Sequence, residues 1–221
     1  MKTKTMKTKT MKTKSILSLT CGLVLLCLGG QANAALTITN GDFQDLTGLT
    51  AQGGGWYNGV PTGWSSNTPA LTYNVMDWNS GNFAANLQTL STTSPFRPLY
   101  QSAGLLDSAR KVSLSFDILH FVPGPNVGVG IFNTYNSSNY DDWTALALPS
   151  AAGFPDAGRF TLETAVPIAA GTNIGVAFWQ GGGGAAGIDN VSIVPEPSTG
   201  SMMALGLAGI LTTRLLRRKS S

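Results

Sequence analysis

Between Ala35 and Val194 several stretches carry apolar residues at every second position, and no window shows a convincing helical period of 3.6. The clearest run is Lys111–Ile118: Val112, Leu114, Phe116 and Ile118 fall on one face, Ser113, Ser115 and Asp117 on the other. The same alternation places Leu71, Tyr73 and Val75 together, and likewise Val127, Val129 and Ile131. It recurs at Phe160 and Leu162, and again at Ile174, Val176 and Phe178. Leu36 and Ile38 open the set, and Val191 and Ile193 close it. Turn-forming clusters separate these runs, among them Gln52–Gly55, Pro123–Asn126, Asn136–Asn139 and Gly181–Gly184. Short strands with turns and no intervening helices predict an all-β, antiparallel two-sheet β-sandwich. One inward face per strand predicts a core of Val112, Leu114, Phe116, Ile131, Phe160, Leu162, Ile174, Val176, Phe178 and Val191.

The two ends break this pattern. Residues 1–14 repeat Met-Lys-Thr-Lys-Thr, with Met at 1, 6 and 11, and carry six Lys. The apolar run Ile16–Leu28 follows, then Ala32-Asn33-Ala34. Basic stretch, short apolar core and small-x-small site predict a secretory signal helix over 1–34, cleaved by signal peptidase after Ala34, with Ala32 and Ala34 as recognition residues. Cys21 and Cys27 both lie inside it, so the mature chain is expected to hold neither disulfide nor thiolate metal site. At the other end Thr199–Thr213 is uncharged. Fifteen helical residues reach about 22 Å against a hydrocarbon core of about 30 Å. Leu215 and Leu216 lengthen the run, and Arg214 can snorkel. A short C-terminal transmembrane helix is expected, with Arg217, Arg218 and Lys219 left in the cytoplasm.

The formal charge of +3 misleads, because the basic residues crowd the ends. Between Ala35 and Val194 stand four basic residues (Arg97, Arg110, Lys111, Arg159) against ten acidic ones, net −6. Nucleic-acid binding needs clustered Lys and Arg, and this stretch has none, so nucleic acid is excluded as a partner.

Pro195-Glu196-Pro197, the apolar run and the basic cluster Arg214, Arg217 and Arg218 together resemble the PEP-CTERM sorting signal, over about the last 27 residues. That resemblance implies processing by exosortase, an integral-membrane Cys protease-transpeptidase. It also implies export, a transient inner-membrane anchor, and delivery to the cell surface or extracellular matrix of an exopolysaccharide-making bacterium. Three segments are expected: signal peptide 1–34, β-sandwich 35–194, sorting and anchor segment 195–221.

Asn40-Gly41-Asp42-Phe43-Gln44, Pro61-Thr62-Gly63-Trp64, Leu99-Tyr100-Gln101 and Gly187-Ile188-Asp189-Asn190-Val191, in that order, resemble jelly-roll domains of the galactose-binding and carbohydrate-binding-module type. Such domains often carry a structural Ca²⁺ near the chain ends. The resemblance implies Asp42 and Asp189 as candidate metal residues, although Gln44 stands where those domains usually have Glu. No other cofactor is expected.

Candidate chemistry rests on Trp. Sugar rings stack on aromatic planes while amides and carboxylates bond their hydroxyls. Trp56 with Tyr57, Trp78 beside Asp77, and Trp143 beside Asp142 stand among turn residues and are the candidate glycan-binding residues. Trp64 reads as a core residue, and Trp179 faces away from Phe178. No catalytic residue is assigned: His120 is the only His, and no Gly-x-Ser-x-Gly or His-Glu-x-x-His motif occurs. The reading is a non-catalytic, surface-sorted domain that binds glycan or an exopolysaccharide matrix. A wall- or matrix-associated glycan hydrolase and a purely structural matrix protein are its alternatives.

Overall fold

The computed structural model describes residues 35–66, 74–77, 80–88, 98–120, 126–149, 154, 156–181, 185–196 and 210. The chain divides into two units, Ala34–Glu196 and a second made of Met1–Asn33 with Pro197–Ser221. Apart from Ile210, every described residue belongs to the first. Ala32, Ala34, Trp78, Pro197, Arg214, Arg217 and Arg218 lie outside the described residues, as do the expected signal and transmembrane helices. Among the described residues, no helix is long and apolar enough to cross a membrane.

Among the described residues twelve strands run β1 (Thr50–Gly53), β2 (Trp56–Asn58), β3 (Ser65–Ser66), β4 (Asn74–Asp77), β5 (Phe83–Gln88), β6 (Leu99–Leu105), β7 (Val112–His120), β8 (Asn126–Asn133), β9 (Thr144–Ala147), β10 (Gly158–Glu163), β11 (Asn173–Gly181) and β12 (Ala185–Pro195). They form a seven-stranded sheet, β1-β2-β4-β5-β12-β7-β10, and a five-stranded sheet, β3-β6-β11-β8-β9. The pairings in both sheets are antiparallel. This is the two-sheet sandwich that the alternation predicts.

The core forms where the expected inward faces meet. Val112, Leu114, Phe116 and Ile118 of β7 are fully buried, as are Val127, Val129 and Ile131 of β8 and Ile174, Val176 and Phe178 of β11. Phe116 lies at its centre, with ring centroids 5.3 Å from Phe178, 5.4 Å from Phe154 and 6.1 Å from Phe160. Each such side chain contributes about 1.5–3 kcal/mol on burial, and residues 35–196 contain no Cys with which to cross-link the sandwich internally.

The opening motif is built into this core. Phe43 is fully buried and stacks on Trp64 at 5.3 Å. The Trp64 indole N–H donates to Asn40 O at 3.2 Å. The Gln101 amide donates to Thr39 O and Gly63 O, at 3.0 and 2.7 Å. The order of those short motifs therefore has a packing cause.

Leu36 and Ile38, expected to open a strand, lie outside any strand. Leu36 reaches the core, while Thr37 N–H alone bonds across to Ala103 O at 2.9 Å. One bond is not a ladder. Trp56-Tyr57-Asn58, expected in a loop, is strand β2.

Candidate functional site

The aromatic residues gather on the outer face of the five-stranded sheet. Along β11 the inward Ile174, Val176 and Phe178 alternate with outward Gly175, Ala177 and Trp179. Along β8 Gly128, Gly130 and Phe132 alternate with the inward Val and Ile. Register sets Trp179 opposite Gly128, Phe132 opposite Gly175, and Ala177 between Gly130 and Tyr100.

Glycine is needed under these rings. A Cβ on Gly128 would stand 2.0 Å from two atoms of the Trp179 indole. One on Gly175 would stand 2.5 Å from the Trp143 ring, and one on Gly130 would stand 2.5 Å from the Phe132 ring. The rings thus rest directly on sheet backbone. The result is a satellite cluster of Tyr100, Phe132 and Ala177, with Tyr140, Trp143 and Trp179 half-buried against it. Trp143 stands edge-on to Tyr100 at 5.1 Å, 5.6 Å from Tyr140 and 6.2 Å from Phe132.

The segment between β8 and β9 carries two of these rings. Tyr135 and Asn136 both adopt positive φ, at 51° and 62°, which turns the chain back over the sheet. Asn139 then caps a one-turn 3₁₀ helix, Tyr140–Asp142, by accepting from Asp141 N–H. Ser137 ties the segment shut: its carbonyl accepts the Trp143 indole N–H at 2.9 Å, and its hydroxyl donates to the Asp142 carboxylate at 2.5 Å. The Tyr100 hydroxyl donates to Ser138 O at 3.1 Å. Burial pushes the Tyr140 and Tyr100 phenols above their ordinary range, and the Asp141 charge adds to the rise. Both stay neutral through the physiological range.

The structure separates the candidate glycan residues. Trp143 and Asp142 join the aromatic cluster. Trp56, Tyr57 and Asp77 sit at the β1-β2-β4 end of the other sheet. There the pleat splits Trp56 from Tyr57: Tyr57 packs inward, edge-on to Phe83 at 5.6 Å, so its neighbour faces the other way. Asp77 accepts Gly81 N–H at 2.8 Å and closes its own turn. Tyr100, Phe132, Tyr140 and Trp179 were absent from the candidates. For Phe132 and Trp179 the feature is a glycine directly opposite each, Gly175 and Gly128, whereas Tyr100 and Tyr140 have no glycine partner in the register.

Asp42 and Asp189 lie near the first turn. A bulge in β12 between Asp189 and Ser192, with Asn190 at φ 51°, turns Val191 N–H onto Gly41 O at 2.8 Å. Asp189 is buried and accepts Asn190 N–H at 2.7 Å and the Asn82 amide at 3.3 Å. Burial pushes its carboxyl above the ordinary range against those bonds, and the charges of Asp117 and Asp42 add to the rise. The native state therefore holds this proton to higher pH than the unfolded chain. The site's contribution to stability is full below a pH of about 4 and is lost as pH rises through the raised value. Followed by carbon NMR, Asp189 is expected to titrate above the usual carboxylates, and Asp42→Asn to bring it down. Titration at or below the usual value would contradict this.

Gln44 presents an amide, not a carboxylate, to the oxygens around Asp42. The amide nitrogen of Gln44 meets Asp42 O at 2.7 Å, Phe83 O at 3.3 Å and Asn82 Oδ1 at 3.4 Å. The Gln44 amide thus donates where these oxygens converge. Among the described residues, no three His, Cys, Asp or Glu side chains gather as a metal-binding group. Gln44→Glu would aim a carboxylate at those oxygens. It is expected to cost about 1–3 kcal/mol, with Ca²⁺ restoring part of the loss, while chelator leaves the native melting temperature unchanged. A native chain that melts lower in chelator would overturn the assignment.

Comparison with known proteins adds two findings. Residues 194–219 match the PEP-CTERM protein-sorting motif. The chain thus carries an export and sorting signal at its end. Similar solved structures include a CBM4 structure, at 19% identity, TM-score 0.45, covering 72% of this chain and all of that one. A cellulose-binding domain from a Cellulomonas fimi β-1,4-glucanase is 12% identical, TM-score 0.42, covering 67% of this chain and 99% of that one. A xylan-binding domain from Paenibacillus barcinonensis is 10% identical, TM-score 0.40, covering 77% and 99%. No curated protein matches the sequence.

Proposed function

We propose that this is a secreted, exosortase-sorted protein whose sandwich binds glycan without cleaving it, through the outer face of the five-stranded sheet. In this reading signal peptidase removes residues 1–34 and the tail anchors the chain in the inner membrane. Exosortase then passes the domain to the cell surface or its exopolysaccharide matrix. The observation that carries the binding reading is the cluster of Tyr140, Trp143 and Trp179, half-buried on the outer face of the five-stranded sheet, with Trp143 over Gly175 and Trp179 over Gly128. Rings packed this closely against backbone offer stacking surface with little conformational freedom left to lose. Asp141 and Asp142, exposed at the rim, supply hydroxyl acceptors. They are consecutive in a single 3₁₀ turn, an arrangement unlike the facing carboxylates of a glycoside hydrolase.

Affinity electrophoresis tests the reading. The mature protein is expected to be retarded in a native gel containing the producing cell's exopolysaccharide, with no new reducing ends released. Equal mobility with and without polysaccharide would reject binding, and released reducing ends would favour the hydrolase.

A further inference from the structure

Strand β12 runs into the sorting motif. The motif begins at Val194. Val194 and Pro195 pair with Ser113 and Val112 of β7, and Glu196 N–H donates to Lys111 O at 2.9 Å. Ile193, the residue before, is 4% exposed and belongs to the core. The first three residues of the motif are therefore also the last three of the sandwich. Pro195 and Pro197 both lack an N–H, so Glu196 carries the one backbone donor of the Pro-Glu-Pro tripeptide.

Recognition of an extended peptide uses the peptide's own backbone N–H and C=O groups. Groups already committed to a β ladder cannot serve twice. A peptidase that gripped Val194–Glu196 would first have to strip this strand from β7, beginning beside a core residue.

We propose that the bond cut in sorting lies C-terminal to Glu196, so that processing leaves β12 intact and the finished protein keeps Pro195 and Glu196. The inference rests on the reading of the chain as an exosortase substrate. In the step, the C–N bond of a peptide beyond Glu196 breaks. Its carbonyl carbon bonds first to the enzyme's nucleophile and then to water or an amine acceptor. The amide nitrogen takes up a proton and leaves as the amino terminus of the tail.

A strand clamp provides the test. Ser113 and Val194 stand directly opposite each other, and Val194 is 56% exposed. Opposed residues of an antiparallel pair have Cα atoms about 4.5–5.5 Å apart, within disulfide reach. Both native cysteines precede Ala34, so Ser113→Cys with Val194→Cys gives the mature chain a single disulfide. The full chain is expressed with the sorting enzyme, and the product is read by intact mass. The native product is expected to end at Glu196 or beyond, and the oxidised clamp to be processed within twofold of its reduced form. A native product ending before Glu196 would overturn the inference and leave the sorting reading standing. So would an oxidised clamp processed more than tenfold slower than its reduced form. A native chain left uncut would overturn both.

Discussion

Gly41→Ala is expected to destabilise the domain by about 3 kcal/mol, at the upper end of what overpacking costs. The new Cβ would stand 2.2 Å from Val191 O and 3.1 Å from Ile38 Cγ2. The first contact is with backbone, and no rotamer change relieves it. Retreat is blocked as well, because Gly41 O holds Val191 N–H at 2.8 Å. That bond stitches the first turn to the bulge in the last strand, so any displacement loosens Phe43 and its stack on Trp64. Total stability for a domain of this kind is about 5–15 kcal/mol, and residues 35–196 hold no Cys for an internal cross-link. Thermal unfolding followed by circular dichroism is expected to shift down by about 6–12 °C. A shift under about 2 °C would show that the turn and the bulge are not tied as described.

The second large effect concerns ligand. Trp143→Ala is expected to weaken glycan binding by about 2 kcal/mol, about 30-fold in Kd, as for a central aromatic anchor of an interface. The ring bridges the sheet and the 3₁₀ turn, touching Tyr100, Phe132 and Tyr140 while its N–H holds Ser137 O. Trp143→Phe, which keeps a ring but loses that hydrogen bond, is expected to retain part of the affinity. Trp56→Ala, on the other sheet, is expected to change binding less than twofold. Equal losses at Trp56 and Trp143 would place the ligand elsewhere.

Much of the fold was legible in the sequence because the two sheets cover each other on one face only. The runs Val112–Ile118, Val127–Ile131 and Ile174–Phe178 became strands with their apolar side inward, whereas Leu36 and Ile38 did not, and Leu71 and Tyr73 lie outside the described residues. Strand β5 was not legible for the opposite reason. It lies between β4 and β12, and Ala84, Ala85, Asn86 and Leu87 are all buried, so both faces are covered and no polar alternation survives. Strand β2 was hidden by length: three residues after three glycines read as loop.

The aromatic face was legible only in part. Trp143 was visible as a Trp beside carboxylates, and Trp179 as facing away from the core. Tyr100 and Phe132 join them only through strand register, which a periodic pattern does not specify across long connections. Conversely, Trp56 and Tyr57 are neighbours in sequence, and the pleat sends them to different faces.

The most direct measurement is NMR of the mature protein titrated with a soluble oligosaccharide of its own matrix polysaccharide. The indole N–H signals of Trp143 and Trp179 are expected to move together and saturate, with those of Trp56 and Trp64 unmoved. Shifts confined to Trp56, or none at any indole at saturating oligosaccharide, would contradict glycan recognition by the outer face of the five-stranded sheet.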